Sequence, residues 1–322
     1  MRMVVVGAGV VGLWTAREAG RAGHEVVVLD RDGIGGGATR WSFGWVGLGS
    51  EAPSADPTRW EVLAEALRLW PRDAPRVASG ALVWEGAEAA TAAFAEELRA
   101  AGVRVDLLGR GAVGAIEPAL AAPSLAAHVP DDFAVEPATL CAWLARGLDV
   151  RRAEALGVAV AGGRARGVRT PEGVLAADAV VLACGAEAWG LAAAVGVALE
   201  VREDPAALVR LLAPPGTLRG LVAGPALRTE LRPGAGGLAS ATEAPADGGG
   251  DAEAARVLAR ARALLPGAPL RVAGWGVGMR PMAERPVAGP LALPGLHAAM
   301  GHPGVMLAPW MARGVVAGLG AA

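Results

Sequence analysis

Residues 4–30 read VVVGAGVVGLWTAREAGRAGHEVVVLD, and the spacing of the glycines in this stretch decides how the rest of the chain is read. Gly7, Gly9 and Gly12 stand at G-x-G-x-x-G between two valine-rich runs, and the second run ends in Asp30. The first run is short, β-branched and bounded by glycine, which predicts a buried parallel strand. Gly7 permits a tight turn, Gly9 lets the backbone approach a pyrophosphate, and Gly12 lets the next helix pack close to the strand. That helix, over residues 10–22, directs unpaired N–H groups and the positive end of its dipole at the phosphates. Gly23 ends it, residues 25–29 form a second strand, and Asp30 follows 18 residues after Gly12. A carboxylate there is placed to accept from the hydroxyls of a ribose. The order strand, glycine turn, helix, strand, acid predicts a dinucleotide site. An acid at position 30 favours a free 2′-hydroxyl and disfavours NADP; NAD and FAD both present an ADP half to such a motif and both remain open.

The chain has 322 residues, enough for two domains that share one nucleotide site. Its hydrophobic content of 53% supplies a sizeable core, and a net charge of −2 gives no electrostatic case for nucleic acid or an anionic membrane surface. All 30 basic residues are arginine, and lysine, asparagine, glutamine and tyrosine are absent. That excludes a Walker-type phosphate lysine, a pyridoxal Schiff base and the Tyr/Lys pair of short-chain dehydrogenases. Cys141 and Cys184 form no C-x-x-C and read as buried thiols of a reducing, cytoplasmic protein. His24, His128, His297 and His302 lack metal-ligand spacing, so no metal centre is expected. The first strand starts at Met3, which leaves no room for a signal peptide. The uncharged stretch 286–312 is broken by Pro290, Pro294, Pro303 and Pro309, which argues against a membrane span.

Residues 31–50, RDGIGGGATRWSFGWVGLGS, read as a loop lying along the nucleotide. Gly35, Gly36 and Gly37 give it freedom, Thr39 and Arg40 offer donors to a phosphate, and Trp41, Phe43 and Trp45 are expected to be sheltered. Periodicity predicts helices over 58–70, 87–101 and 137–148 and a strand over 103–107. A hairpin around Pro171-Glu172-Gly173 leads into a buried strand, 179–182, ending in Ala183-Cys184-Gly185, so that its carboxyl end lies beside the nucleotide. Residues 196–240 read as mainly β, 243–251 as a loop and 252–265 as a helix. A second glycine turn, GHPGVMLAP over 301–309, feeds a helix from about Pro309, whose start would point at an anion or a flavin carbonyl.

In this order, the N-terminal motif with Asp30, GGGAT (35–39), ADAVVLACG (177–185), GMRP (278–281) and GHPGVMLAP resemble FAD-dependent oxidoreductases of the D-amino-acid oxidase type. That group includes glycine oxidase, sarcosine oxidase and D-amino-acid dehydrogenase. The resemblance implies non-covalent FAD and an α/β fold. Its Rossmann-like, glutathione-reductase-like FAD-binding domain would span residues 1–78, 136–195 and 272–322. An interleaved, mainly antiparallel β substrate domain would span 79–135 and 196–271. Val10 and Val11 would meet the pyrophosphate and Asp30 the adenosine ribose, with Gly7, Gly9, Gly12 and Arg31 also assigned to the cofactor. Ala38, Thr39 and Arg40 would lie on the phosphate side, Ser42, Gly44 and Trp45 nearer the isoalloxazine, and Cys184 and Gly185 at the end of the central strand. Gly301, His302, Gly304, Val305 and Met306 would cradle the ring, and Arg280 matches the arginine that pairs with a substrate carboxylate.

The implied reaction is oxidation of the C–N bond of a small amino acid or secondary amine by hydride transfer to flavin N5, with oxygen or a quinone-type compound accepting the electrons. Absence of lysine favours dehydrogenase over oxidase behaviour. The chain departs from the family pattern in having no tyrosine, in Ala283-Glu284-Arg285 where an acid–glycine is usual, and in a short GHPGVMLAP turn without arginine. Residues 149–160 also look abbreviated where a strand would contact the adenine. The residues by themselves leave open a flavin dehydrogenase of a hydroxy acid and a non-catalytic FAD- or NAD-binding subunit.

Overall fold

The computed structural model describes residues 1–224, 229–243 and 250–320. One sheet holds six strands in the order Val287–Pro290, Leu296–Met300, Ala179–Leu182, Arg2–Val6, Glu25–Asp30 and Asp149–Arg152. Neighbours run parallel except Val287–Pro290, which is antiparallel to Leu296–Met300. Ala179–Leu182 and Leu296–Met300 are buried at every residue, as a parallel sheet covered on both faces requires. Helices Val10–Arg21 and Gly304–Leu319 cover one face, where Leu13, Ala16, Met311 and Val315 join Met3 and Val5 in a core. On the other face Val4, Val6, Val27 and Leu29 pack with Val158, Val168 and Ala188, from a three-stranded antiparallel sheet and helix Ala188–Ala193.

The second large sheet has nine strands, mostly antiparallel. Its path runs Arg271–Met282, Arg202–Leu212, Gly237–Glu243, Thr229–Gly234, Leu221–Gly224, Ala78–Val83, Leu125–Ala134 and Trp45–Val46, with Asp106–Gly109 beside Leu125–Ala134. Helix Gly250–Leu264 buries Val257, Ala261 and Leu264 against Val209, Leu211 and Leu231 of this sheet. A Rossmann-like parallel sheet beside a mainly antiparallel one is the fold class expected from the sequence.

Local departures have physical causes. The last helix starts at Gly304, not near Pro309, and Pro309 lies inside it, buried. Proline lacks the N–H that a helix interior uses but its fixed φ is helical, and here the surrounding core compensates for the missing bond. The helix at 137 stops at Leu144, and Gly147 with φ +78° turns the chain into Asp149–Arg152. Residues 149–160, which read as abbreviated, thus supply an edge strand of the parallel sheet and most of Gly157–Ala161. The edge strand escapes a pattern search because three of its four residues are charged and exposed. The strand expected at 103–107 runs Asp106–Gly109. Most of the loop expected over 243–251 lies outside the described residues.

The glycine turn is as tight as its spacing suggests. Gly7 has φ +111°, and a Cβ on Gly12 would stand 1.9 Å from the Gly7 carbonyl oxygen. Gly12→Ala is therefore expected to lower stability by roughly 1–3 kcal/mol in urea unfolding; an unchanged midpoint would show that the turn relaxes without cost.

Candidate cofactor and substrate site

A cleft of about 700 Å³ runs from the carboxyl ends of the parallel strands (Val6, Leu29, Ala183, Met300) to the nine-stranded sheet (Ala207, Glu230, Ala241, Gly278). Its size falls in the range of roughly 300–1,000 Å³ usual for small-molecule sites. Gly7, Gly9, Val10 and Val11 line its floor, and Gly12 sits beneath them. Asp30 lines the same end, but its carboxylate already works for the fold. Oδ2 accepts from Ala8 N–H at 2.7 Å, and Oδ1 from Asp32 and Gly33 N–H at 2.8 and 2.9 Å. A carboxylate has about four acceptor positions, so capacity is left for a ribose hydroxyl. Thr39 Oγ1 accepts from Val10 N–H at 3.2 Å, which draws the 31–50 loop over the helix start.

Ala38, Ser42, Gly44 and Trp45 line the cleft along that loop, with Cys184 and Gly185 across from Asp30. Burial pushes the Cys184 thiol up to about 12, so it is a protonated lining group. Arg31 also lines the cleft while pairing with Glu187 at 2.5 Å. Arg40 does not join them: it is exposed, its guanidinium lies over the Trp41 ring, and its carbonyl accepts from Arg210.

At the far end, Gly301, His302, Gly304, Val305 and Met306 form one wall, and the His302–Pro303 peptide is cis. Trp70 Nε1 donates to the Met306 carbonyl at 2.9 Å, and Arg59 Nη1 to the His302 carbonyl at 3.0 Å. Burial, then Arg280 and Arg59, hold the His302 imidazole down at about 4, so it is neutral near pH 7. Arg280 lines the opposite side. It stands across from Asp204 in the pairing of Arg202–Leu212 with Arg271–Met282, and its Nη2 is bonded to the Asp204 carboxylate. Its Nε leans on the Asp204 carbonyl at 3.4 Å. Asp204 thus holds the Nε–Nη2 edge of the guanidinium, and among the described residues no hydrogen bond engages Nη1.

Several residues that organise this site gave no sequence signal. Asp132 is buried and accepts from Trp45 Nε1 at 2.7 Å, Leu48 N–H at 3.0 Å and Gly49 N–H at 2.9 Å. Arg232 is 0% exposed, pairs with Glu136 at 3.1 Å and donates through Nε to the Phe43 carbonyl. Each links segments far apart in sequence, which spacing alone does not reveal.

Residues 2–317 match the family model described as FAD dependent oxidoreductase, DAO. This chain belongs to that family. Among curated DAO-type relatives, a D-amino acid dehydrogenase of Methylobacterium nodulans is 42% identical over 85 residues, 24% of this chain and 20% of that protein. The chain therefore matches only about a fifth of that relative's length. Among solved structures, glycine oxidase of Geobacillus kaustophilus is 26% identical with a TM-score of 0.76, covering 97% of this chain and 93% of that one. Iminodiacetate oxidase of a Chelativorans species shares the fold at a TM-score of 0.83 with 21% identity, over 99% and 95% of the two chains. The cofactor of that family is FAD. The cleft fits that cofactor on its own geometry: a backbone floor with no room for side chains at Gly7 and Gly12, a carboxylate at the second strand's end, and a second glycine turn facing the first. No helix among the described residues is long and apolar enough to cross a membrane.

Burial raises the Asp132 carboxyl from an ordinary 3.8 to about 6. The folded state then holds the proton more tightly than the unfolded one, so this group's contribution is fully present below 3.8 and is lost as pH rises through about 6. Asp132→Ala is expected to abolish that slope. At pH 7.5 it strands three donors, two of them buried, at a cost of about 3 kcal/mol in urea unfolding; a loss below about 1 kcal/mol would show that water replaces the carboxylate.

Proposed function

We propose that this flavoprotein oxidises the C–N bond of a small α-amino acid or secondary amine. The observation that carries the reading is Arg280, a guanidinium that lines the same cleft as both glycine turns and is already oriented by Asp204. FAD would lie from the floor at Gly7–Gly12 to the wall at 301–306, its ribose at Asp30 and its pyrophosphate at the start of helix Val10–Arg21. Bound there, the flavin supplies the two-electron acceptor. The chain supplies binding, orientation and exclusion of water around it.

Arg280 would grip the substrate carboxylate along its free edge through parallel charge-assisted bonds, which also fixes the α-carbon. Asp204 pre-orients that fork, so less freedom is lost on binding. The neutral His302 adds no second cation to compete for the carboxylate. The relatives named D-amino acid dehydrogenase and glycine oxidase accord with an amino acid substrate. No lysine exists to promote oxygen as electron acceptor, which favours a quinone-type acceptor.

Two measurements test this. FAD-loaded protein mixed anaerobically with glycine, sarcosine, D-alanine and lactate should lose its yellow absorbance with one or more of the amines. Bleaching by lactate alone would move the reaction to a C–OH bond, and bleaching by none would leave a nucleotide-binding protein without this activity. Arg280→Met should then cost roughly 2–5 kcal/mol in kcat/KM on the best amine, with the flavin spectrum intact. A variant within about threefold of the parent removes Arg280 from the role.

A further inference from the structure

Glu230 lies on Thr229–Gly234 near the middle of the nine-stranded sheet. Successive strand residues face opposite sides, and Leu231 points into the core under helix Gly250–Leu264. Glu230 and Arg232 therefore face the other way. Arg232 is taken up by Glu136 and the Phe43 carbonyl. Glu230 lines the cleft with Glu51, Arg280 and His302, and among the described residues no hydrogen bond or ion pair engages its carboxylate. A sheltered carboxylate with no structural partner is costly to keep, so a use in the site is the natural reason for it.

Resting on the amino-acid reading above, we propose that Glu230 accepts the proton of the substrate's ammonium group. An amino acid arrives as a zwitterion, and an ammonium nitrogen has no electron pair to form the C=N bond as the α-hydrogen departs. In the proposed step one N–H bond breaks, its electron pair stays on nitrogen, and an O–H bond forms on Glu230. The ammonium becomes a neutral amine and the carboxylate a neutral acid, which returns its proton to water after product leaves. No oxidant enters this step.

The surroundings suit a base. Burial, and behind it the Glu51 charge, raise the Glu230 carboxyl above the ordinary range. Glu51 is itself paired with Arg59 at 3.1 Å. Other charged or titratable groups on this side are the Arg280–Asp204 pair, the Arg232–Glu136 pair, Glu203, Arg210 over the Trp41 ring, and His302. His302, held down at about 4, is too weak a base to take the proton itself. Arg280 on the carboxylate and Glu230 on the ammonium would hold the zwitterion by its two ends.

The test is the rate of flavin reduction against pH for Glu230→Gln, using the fastest amine of the panel above. Near pH 7 the variant is expected to be slower by about 100-fold, to recover as pH approaches the amine's own pKa, and to come within about threefold of the parent near pH 10. Glu230→Asp, which keeps the carboxylate, should restore part of the rate near pH 7. A loss of constant size at every pH, or a variant matching the parent near pH 7, overturns the proposal and leaves the amino-acid reading intact. A readout without turnover is binding of α-aminoisobutyrate, which has no α-hydrogen, followed by calorimetry. Glu230→Gln should bind it about tenfold more weakly. If no amine reduces the parent's flavin, the amino-acid reading has failed, and equal α-aminoisobutyrate affinities then overturn the role of Glu230 as well.

Discussion

At the bottom of the cleft, backbone meets backbone with nothing between. A Cβ at Gly7 would stand 2.5 Å from the Ala183 carbonyl oxygen, and one at Gly12 would strike the Gly7 carbonyl oxygen. Only because both side chains are hydrogen can helix Val10–Arg21 leave the first strand at once while the turn lies against Ala183, just past the strand Ala179–Leu182. The Asp30 carboxylate then ties the second strand's end to the same turn through Ala8 N–H. Three neighbouring strands are thus fixed at one point, and the helix start is aimed across their carboxyl ends.

A cleft needs an opposite wall held at a set distance, and the ties that hold it are polar. Asp132 on the nine-stranded sheet gathers residues 45–49 by accepting three N–H groups. Arg232 on the same sheet binds Glu136, just before helix Pro137–Leu144, and the carbonyl of Phe43 in the loop that follows the nucleotide turn. These are buried, directional contacts, and breaking one leaves its partners unsatisfied. They are sparse compared with the apolar packing within each sheet, yet they fix where Glu230 and Arg280 stand relative to the two glycine turns.

Legibility in the sequence followed the range of the interaction. The opening motif spoke clearly because strand, turn, helix and acid are consecutive and each has a local signature. Most residues assigned to the nucleotide from it, and from the 301–306 turn, do line the cleft. Arg40 did not, since a flexible exposed side chain is not fixed by its neighbours in sequence. The edge strand Asp149–Arg152 lacks an apolar pattern because one side of it faces water. Pro309 reads as a helix start, although a proline within a helix is tolerated where packing is dense. Asp132, Asp204, Glu230 and Arg232 were silent. A lone charged residue in a β-rich stretch looks the same whether it faces solvent or a cavity, and only the register of distant strands decides.

The parallel sheet interleaves the two ends of the chain. Leu296–Met300 pairs with Ala179–Leu182, which pairs with Arg2–Val6, and helix Gly304–Leu319 shares a core with Val10–Arg21. During synthesis, the first strand and its glycine turn emerge early with an apolar face that is not fully covered until helix Gly304–Leu319 is made. Contacts of such long sequence separation close slowly, and the exposed intermediate invites association with other chains. The nucleotide turn is thus the first part of the site to be written and among the last to be completed, so a ribosome-bound chain lacking its final helix would display the motif without the pocket.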